Sequence, residues 1–303
     1  MGGDAVFSRV ENAPPRVRIR PPNSPIMSSP NPHSAYALGY SDAEQARLIR
    51  QAAQLAPLTE RFFRDAGIGP GQRVLELGSG MGDVAMLVAR IVGPDGKVLA
   101  VERDATSIKI ARARADNSGF HNLVFSQSDI AHMQPHDRFD AAVGRFILQF
   151  VPDPVLILRS LTSLLRPGGI VAFHEPQWGP YIDLLTDLPL SRACAIAARG
   201  AMRASGANTE MGLSLHSVYR EAGLPAPSMR MEMILGADLG FATWICDLLF
   251  SLLPKARQNG IPLEALGDLE TLSARVHAEV THANAVVPWI PLVAAWSRVP
   301  TTA

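Results

Sequence analysis

Between residues 70 and 175 the apolar positions fall into short runs separated by longer stretches with helical spacing. Val74–Leu77, Val98–Val101, Leu123–Ser128, Asp140–Gly144 and Ile170–Phe173 largely lack the polar alternation of a half-exposed strand. Each therefore reads as a strand buried on both faces of a parallel sheet. Residues 83–92, 106–118 and 154–165 place apolar side chains at helical intervals between them. Strand and helix in strict alternation predict right-handed crossovers and an open, doubly wound α/β sheet. The ligand crevice of such a sheet lies beyond the carboxyl ends of its strands.

The pattern changes on either side of this block. Upstream, Ser41 and Glu44 have capping-box spacing, and Leu48, Ile49 and Ala52 share one helical face. Pro57 is expected to divide this helix, with a second piece running to about Asp65. Downstream, Ser228–Leu235 and Leu292–Arg298 add two strand candidates, which brings a mostly parallel sheet to seven strands. Residues 177–213 and 238–284 are helix-prone and rich in Leu, Ala and Met. They predict a helical cap inserted after strand 5 and before the last strand. Met202, Met211, Phe241, Trp244 and Leu248 are the expected lining of an apolar pocket beneath it.

Composition narrows the functional classes. Lys and Arg number 28, as do Asp and Glu, so no global positive field recruits nucleic acid or an anionic membrane. Residues 1–32 hold seven of the 24 prolines together with Arg9, Arg16, Arg18 and Arg20. Such a segment buries too little apolar surface to fold alone, so residues 1–33 are expected to form a disordered extension and 34–303 the folded domain. Cys194 and Cys246 sit in apolar, helix-like stretches and read as buried thiols of a reducing compartment. With no secretory signal, the expected location is the cytoplasm. The sequence assigns no oligomeric state.

Chemistry concentrates where the first strand gives way to a helix, at Val74-Leu-Glu-Leu-Gly78-Ser-Gly80-Met-Gly82-Asp83. Glycines there allow a sharp turn and close approach to a ligand, which the helix N-terminus attracts through its free N–H groups. In the dinucleotide fingerprint G-x-G-x-x-G the third glycine would fall on Asp83, where a carboxylate repels a pyrophosphate. Glu102 closes the second strand and can accept ribose hydroxyls, an arrangement that suits NAD as well as other adenosine cofactors. Ser128-Asp129-Ile130 follows the third strand and Gly144-Arg-Phe-Ile-Leu-Gln149 the fourth.

In these residues, over about 35–175, the chain resembles the class I S-adenosylmethionine-dependent methyltransferases, particularly the group related to ubiquinone and menaquinone biosynthesis. The resemblance implies a Rossmann-like methyltransferase fold with S-adenosylmethionine as cofactor. It implies that Gly78, Ser79, Gly80 and Gly82 pass beneath the methionine part, that Glu76 orients its amino group, and that Tyr40, with Tyr36, covers that end. Glu102 would take the ribose with Arg103 beside it, Asp129 the adenine amino group, and Ile130 would pack on the ring. Arg145 and Gln149 would stand between cofactor and acceptor. A sulfonium and an ammonium in place of phosphates also suit the acidic loop. Arg166-Pro-Gly-Gly169 is implied to be a structural turn.

The motifs absent from the chain restrict the acceptor. No N-P-P-Y or D-P-P-Y follows the fourth strand, no cysteine lies in the loops of the first five strands, and two cysteines are too few for arsenic chemistry. A small organic acceptor, methylated on O, N or C, is the expected partner, with no metal. Transfer from a sulfonium needs alignment and desolvation, and a base only when the acceptor must lose a proton. His174, directly after the fifth strand, is the candidate for that base. Two other classes fit less well: an NAD-dependent oxidoreductase of similar fold, and a non-catalytic S-adenosylmethionine-binding protein.

Overall fold

The computed structural model describes residues 42–128 and 138–301. Helix α1 (Asp42–Asp65) leads into β1 (Arg73–Leu77), α2 (Asp83–Val92), β2 (Lys97–Glu102), α3 (Ala105–Asn117), β3 (Leu123–Gln127) and β4 (Phe139–Arg145). After a short 3-10 turn, Leu148–Phe150, come α4 (Pro154–Leu164) and β5 (Leu165–Pro176). The second half adds α5 (Trp178–Asp183), α6 (Pro189–Ala204), α7 (Met211–Glu221), β6 (Ser228–Glu232) and β7 (Leu235–Gly236). It ends with α8 (Leu239–Gln258), α9 (Leu272–His282), β8 (Val287–Pro288) and β9 (Leu292–Arg298). Seven strands form one sheet in the order β3-β2-β1-β4-β5-β9-β6. The first five pair in parallel, and β9 runs antiparallel to both β5 and β6. The chain turns back from β3 to the far side of β1, so the switch in strand order, and hence the crevice, falls between β1 and β4.

Alternation of side chains sorts the strands onto two cores. Leu75, Leu77, Ala142, Val171 and Phe173 pack with α4 and α7. Val74, Ala141, Val143, Ile170 and Ala172 pack on the other face with Phe62 and Phe63 of α1 and the apolar face of α2. Beyond the strand ends, α5, α6, α8 and α9 enclose a third core with Trp178, Tyr181, Cys194, Trp244, Cys246 and Trp289. Helix α8 is, among the described residues, the one helix long and apolar enough to cross a membrane, and half of its apolar window is buried in this core.

The structure corrects several expectations. Pro57 does not divide α1, which runs unbroken through it. The proline removes one ladder bond, but buried Leu55, Phe62 and Phe63 on either side hold the helix against the rest of the fold. The helix-prone stretch 177–213 is divided among α5, α6 and the start of α7. Met211 opens α7, which lies on the sheet: Tyr219 donates its hydroxyl to Ala295 O at 2.9 Å and reaches Val171 O at 3.3 Å. Met211 is therefore sheet core, not pocket lining. The single strand expected over Ser228–Leu235 is two, β6 in the main sheet and β7 in a ribbon with β8. The extension, Tyr36, Tyr40 and Ser41 lie outside the described residues, as do Asp129 and Ile130.

Candidate active site

The loop after β1 is built by its glycines. Gly78 has φ +66°, and a Cβ added there would come within 2.5 Å of Ile147 Cδ1, so only glycine fits. The N–H groups of Gly78 and Ser79 donate to Val101 O at 2.9 and 3.1 Å, which turns the chain across the end of β2. Gly80, φ +48°, would direct a Cβ into open space. Its N–H donates to Glu102 Oε2 at 2.9 Å, while Glu102 Oε1 accepts from the N–H groups of Arg103 and Asp104 at 2.7 and 3.0 Å. Glu102 thus anchors the loop with three of roughly four acceptor positions and keeps one free. Gly82 caps the start of α2.

Glu76 points to the α1 face of β1 and is 1% exposed, with Oε2 unpartnered. Burial pushes its carboxyl up to about 8, against the pull of the Arg145 guanidinium, and Asp83 and Glu102 add to the rise. Ser79 Oγ, beside it in the loop, is also buried without a partner. Arg145 ends β4 on the same face, with Nη1 donating to Thr59 Oγ1 of α1 at 2.9 Å, and burial pulls it down to about 10. Asp83 departs from the sequence reading, because Arg114 of α3 pairs with it at 2.6 Å. Its charge is compensated by that pair, so it no longer argues by itself against a pyrophosphate at the loop.

His174 is not placed to act as a base. It pairs in register with Arg145 and lies beneath α1, fully buried, its ring 5.1 Å from that of Phe62 and Nδ1 3.4 Å from Thr59 Oγ1. Burial, together with Arg145 and Arg230, pulls its pKa down to about 3. A neutral imidazole closed off by a helix exchanges no proton with an acceptor near neutral pH. The adjacent Glu175, to which sequence reasoning gave no role, faces the opposite side. It accepts from the N–H groups of Ile147, Leu148 and Gln149 at 2.9, 2.8 and 3.3 Å, and burial raises it to about 7. This carboxylate fixes the segment after β4, where Phe146 takes φ +58°, Ile147 covers Gly78 and Gln149 is buried with Oε1 unpartnered. Arg103 stays exposed at the rim, its carbonyl accepting from Gln127 Nε2 at 3.1 Å.

A doubly wound sheet with a glycine loop at its switch point and an antiparallel last strand pair defines the Rossmann-like class I S-adenosylmethionine-dependent methyltransferases. The chain belongs to that family: the model of the methyltransferase domain matches residues 68–222. Among curated relatives, the ubiquinone/menaquinone biosynthesis C-methyltransferase UbiE of Vibrio vulnificus is 35% identical over 129 residues, 41% of this chain and 50% of the relative. That of Teredinibacter turnerae is 32% identical over 117 residues, covering 37% and 47% respectively. The chain spans about half the length of the curated relatives it matches. A solved Bacillus halodurans protein with a provisional methyltransferase assignment shares the fold at TM-score 0.52 and 17% identity, over 80% of this chain and 98% of that one.

Proposed function

We propose that this protein transfers a methyl group from S-adenosylmethionine to a small organic acceptor by in-line displacement. The observation that carries the reading is the pair of unpartnered buried oxygens, Glu76 Oε2 and Ser79 Oγ, beside the open side of Gly80. Buried polar atoms without partners call for a ligand that supplies them. An ammonium group suits Glu76 once its carboxyl is ionised, and a ribose hydroxyl suits the remaining acceptor position of Glu102. The Glu102 carboxylate beside the N–H of Gly80 also disfavours the pyrophosphate of NAD.

When bound, S-adenosylmethionine supplies a methyl group activated by its sulfonium. The chain's own residues bind, orient and exclude water. In this reading Tyr40 covers the methionine end, Gly78, Gly80 and Gly82 let the backbone run beneath it, Arg103 flanks the ribose, and Asp129 with Ile130 takes the adenine. Glu175 holds Gln149 and Ile147 against the loop, and Arg145 keeps a fixed positive charge beside Glu76. No base is assigned, since the displacement requires one only for acceptors that must lose a proton. Calorimetric titration with S-adenosylmethionine, S-adenosylhomocysteine and NAD tests the reading. Binding of the first two and not of NAD is expected, and the reverse would overturn it.

A further inference from the structure

The seven-stranded sheet ends in two edges of different character. At one, β3, Arg112 of α3 donates from Nη2 to Phe125 O at 2.7 Å, so a charged side chain occupies a carbonyl of the strand. At the other, β6 has β9 as its one strand neighbour among the described residues. An edge strand presents a row of unpaired N–H and C=O groups, and proteins blunt such rows with proline, lysine or repelling charges. The sequence of β6, Ser228-Met-Arg-Met-Glu232, holds neither proline nor lysine.

Pairing with β9 sorts the side chains of β6 onto the two faces of the sheet. Arg230 stands opposite Ala294, on the α1 face, while Met229 and Met231 stand opposite Ala295 and Val293, on the α7 face. Glu232 shares the α1 face with Arg230. Arg230 Nη1 pairs with Asp65 Oδ2 of α1 at 2.7 Å, and Glu232 pairs with Arg61 of the same helix. On the α7 face Met231 is 49% exposed. Beyond it Met233, Leu235 and Leu239 are exposed in turn, through β7 to the start of α8. Val286 is exposed just before β8, which pairs with β7. Single apolar side chains are ordinary on a surface, but a consecutive group flanking an open sheet edge marks a contact site.

We propose that two copies of this chain join through β6, antiparallel and centred on Met231, so that the sheet of one continues into the sheet of the other. A two-fold axis through the sheet sets the residues on either side of its centre opposite each other, on the same face. Centred on Met231, Arg230 meets Glu232 of the second copy, and Glu232 meets the second copy's Arg230. Centred on Arg230 or on Glu232, like charges would face each other across the axis. The two charges of β6 therefore favour this register of the strand with itself, while they repel a strand whose charges fall in another order. On the α7 face Met231 meets its own copy and Met229 meets Met233, which removes exposed apolar surface from water. The interface is independent of the methyl-transfer reading.

Sedimentation equilibrium of the full chain tests the proposal, and at micromolar concentration the parent should run at twice the mass of one chain. Met231→Lys brings two ammonium groups together at the axis and should weaken association by about tenfold. Its side chain is exposed, so the variant should keep the parent's far-ultraviolet circular dichroism. Arg230→Glu and Glu232→Arg should each associate about tenfold more weakly than the parent. An equimolar mixture of these two restores opposite charges in both cross-strand pairs and should recover the dimer. A monomeric parent overturns the proposal. A parent dimer that Met231→Lys leaves equally tight overturns β6 as its interface, and a mixture no tighter than either variant alone overturns the register.

Discussion

Replacing Glu76 by Gln should stabilise the protein while removing the group proposed to hold the cofactor's ammonium. The carboxyl is buried with one oxygen unpartnered, and its pKa rises from an ordinary 4.5 to about 8. A carboxyl with a raised folded pKa contributes stability that is fully present below 4.5 and is lost as pH rises through about 8. Between 4.5 and 7 the unfolded chain gives up the proton and the folded chain keeps it. At about 1.4 kcal/mol per pH unit, this costs the folded state up to roughly 3 kcal/mol at pH 7. Glutamine carries no such proton, and its oxygen can keep the acceptor role toward the Ala85 N–H.

Urea unfolding of the cofactor-free parent and of Glu76→Gln at pH 5, 6, 7 and 8 measures the difference directly. The variant should gain on the parent with each pH step and, apart from a constant offset, lead by about 4 kcal/mol at pH 8. Any strain from the new amide beside Arg145 enters as a constant offset, so the slope is the readout. Glu175 and His174 are present in both proteins, and their titrations cancel. A stability difference that is flat with pH, or that turns against the variant at high pH, would refute the reasoning. It would mean that Glu76 is ionised in the empty site.

Three further outcomes follow from the same geometry. Glu102→Ala should weaken S-adenosylmethionine binding by roughly 1–3 kcal/mol in calorimetry, since it removes both a charged acceptor and the anchor of Gly80; unchanged affinity would remove the ribose assignment. Glu175→Ala, which strands three N–H groups of the Ile147–Gln149 segment, should cost about 3 kcal/mol in urea unfolding. Glu175→Gln keeps an acceptor and should cost less than half as much, and equal losses would deny that the hydrogen bonds matter. Tyr219→Phe should cost about 1 kcal/mol through the lost bond to the sheet carbonyls, with no change in cofactor affinity.

The alternation of runs and helices was legible because it reports burial on two faces, and all five parallel strands fall where their apolar runs lie. The glycine loop was legible for a different reason. Positive φ at Gly78, Gly80 and Gly82 is a backbone demand that the residue type itself records. Less could be read where tertiary packing outweighs a local signal. Pro57 is a helix breaker by itself, yet it sits inside a 24-residue helix whose apolar face is held by the rest of the fold. Cys194 and Cys246 look isolated at 52 positions apart, but α6 and α8 bury both thiols in one core.

The misreading of His174 shows where a one-dimensional argument ends. A histidine at the carboxyl end of a strand lies near the crevice, but the face on which it points depends on register, which a run of apolar residues conceals. In the folded sheet Glu76, Arg145 and His174 share the parity of Val74, Val143 and Ala172, and α1 covers that face with Phe62 and Thr59. Within this group the carboxyl is pushed up, the guanidinium pulled down and the imidazole held neutral, so each group favours its less charged form. A ligand cation arriving at Glu76 would reverse that balance at one member only. In the proposed reading this face is a fixed, dry setting in which Glu76 would ionise on binding, while His174 stays a packing partner of α1.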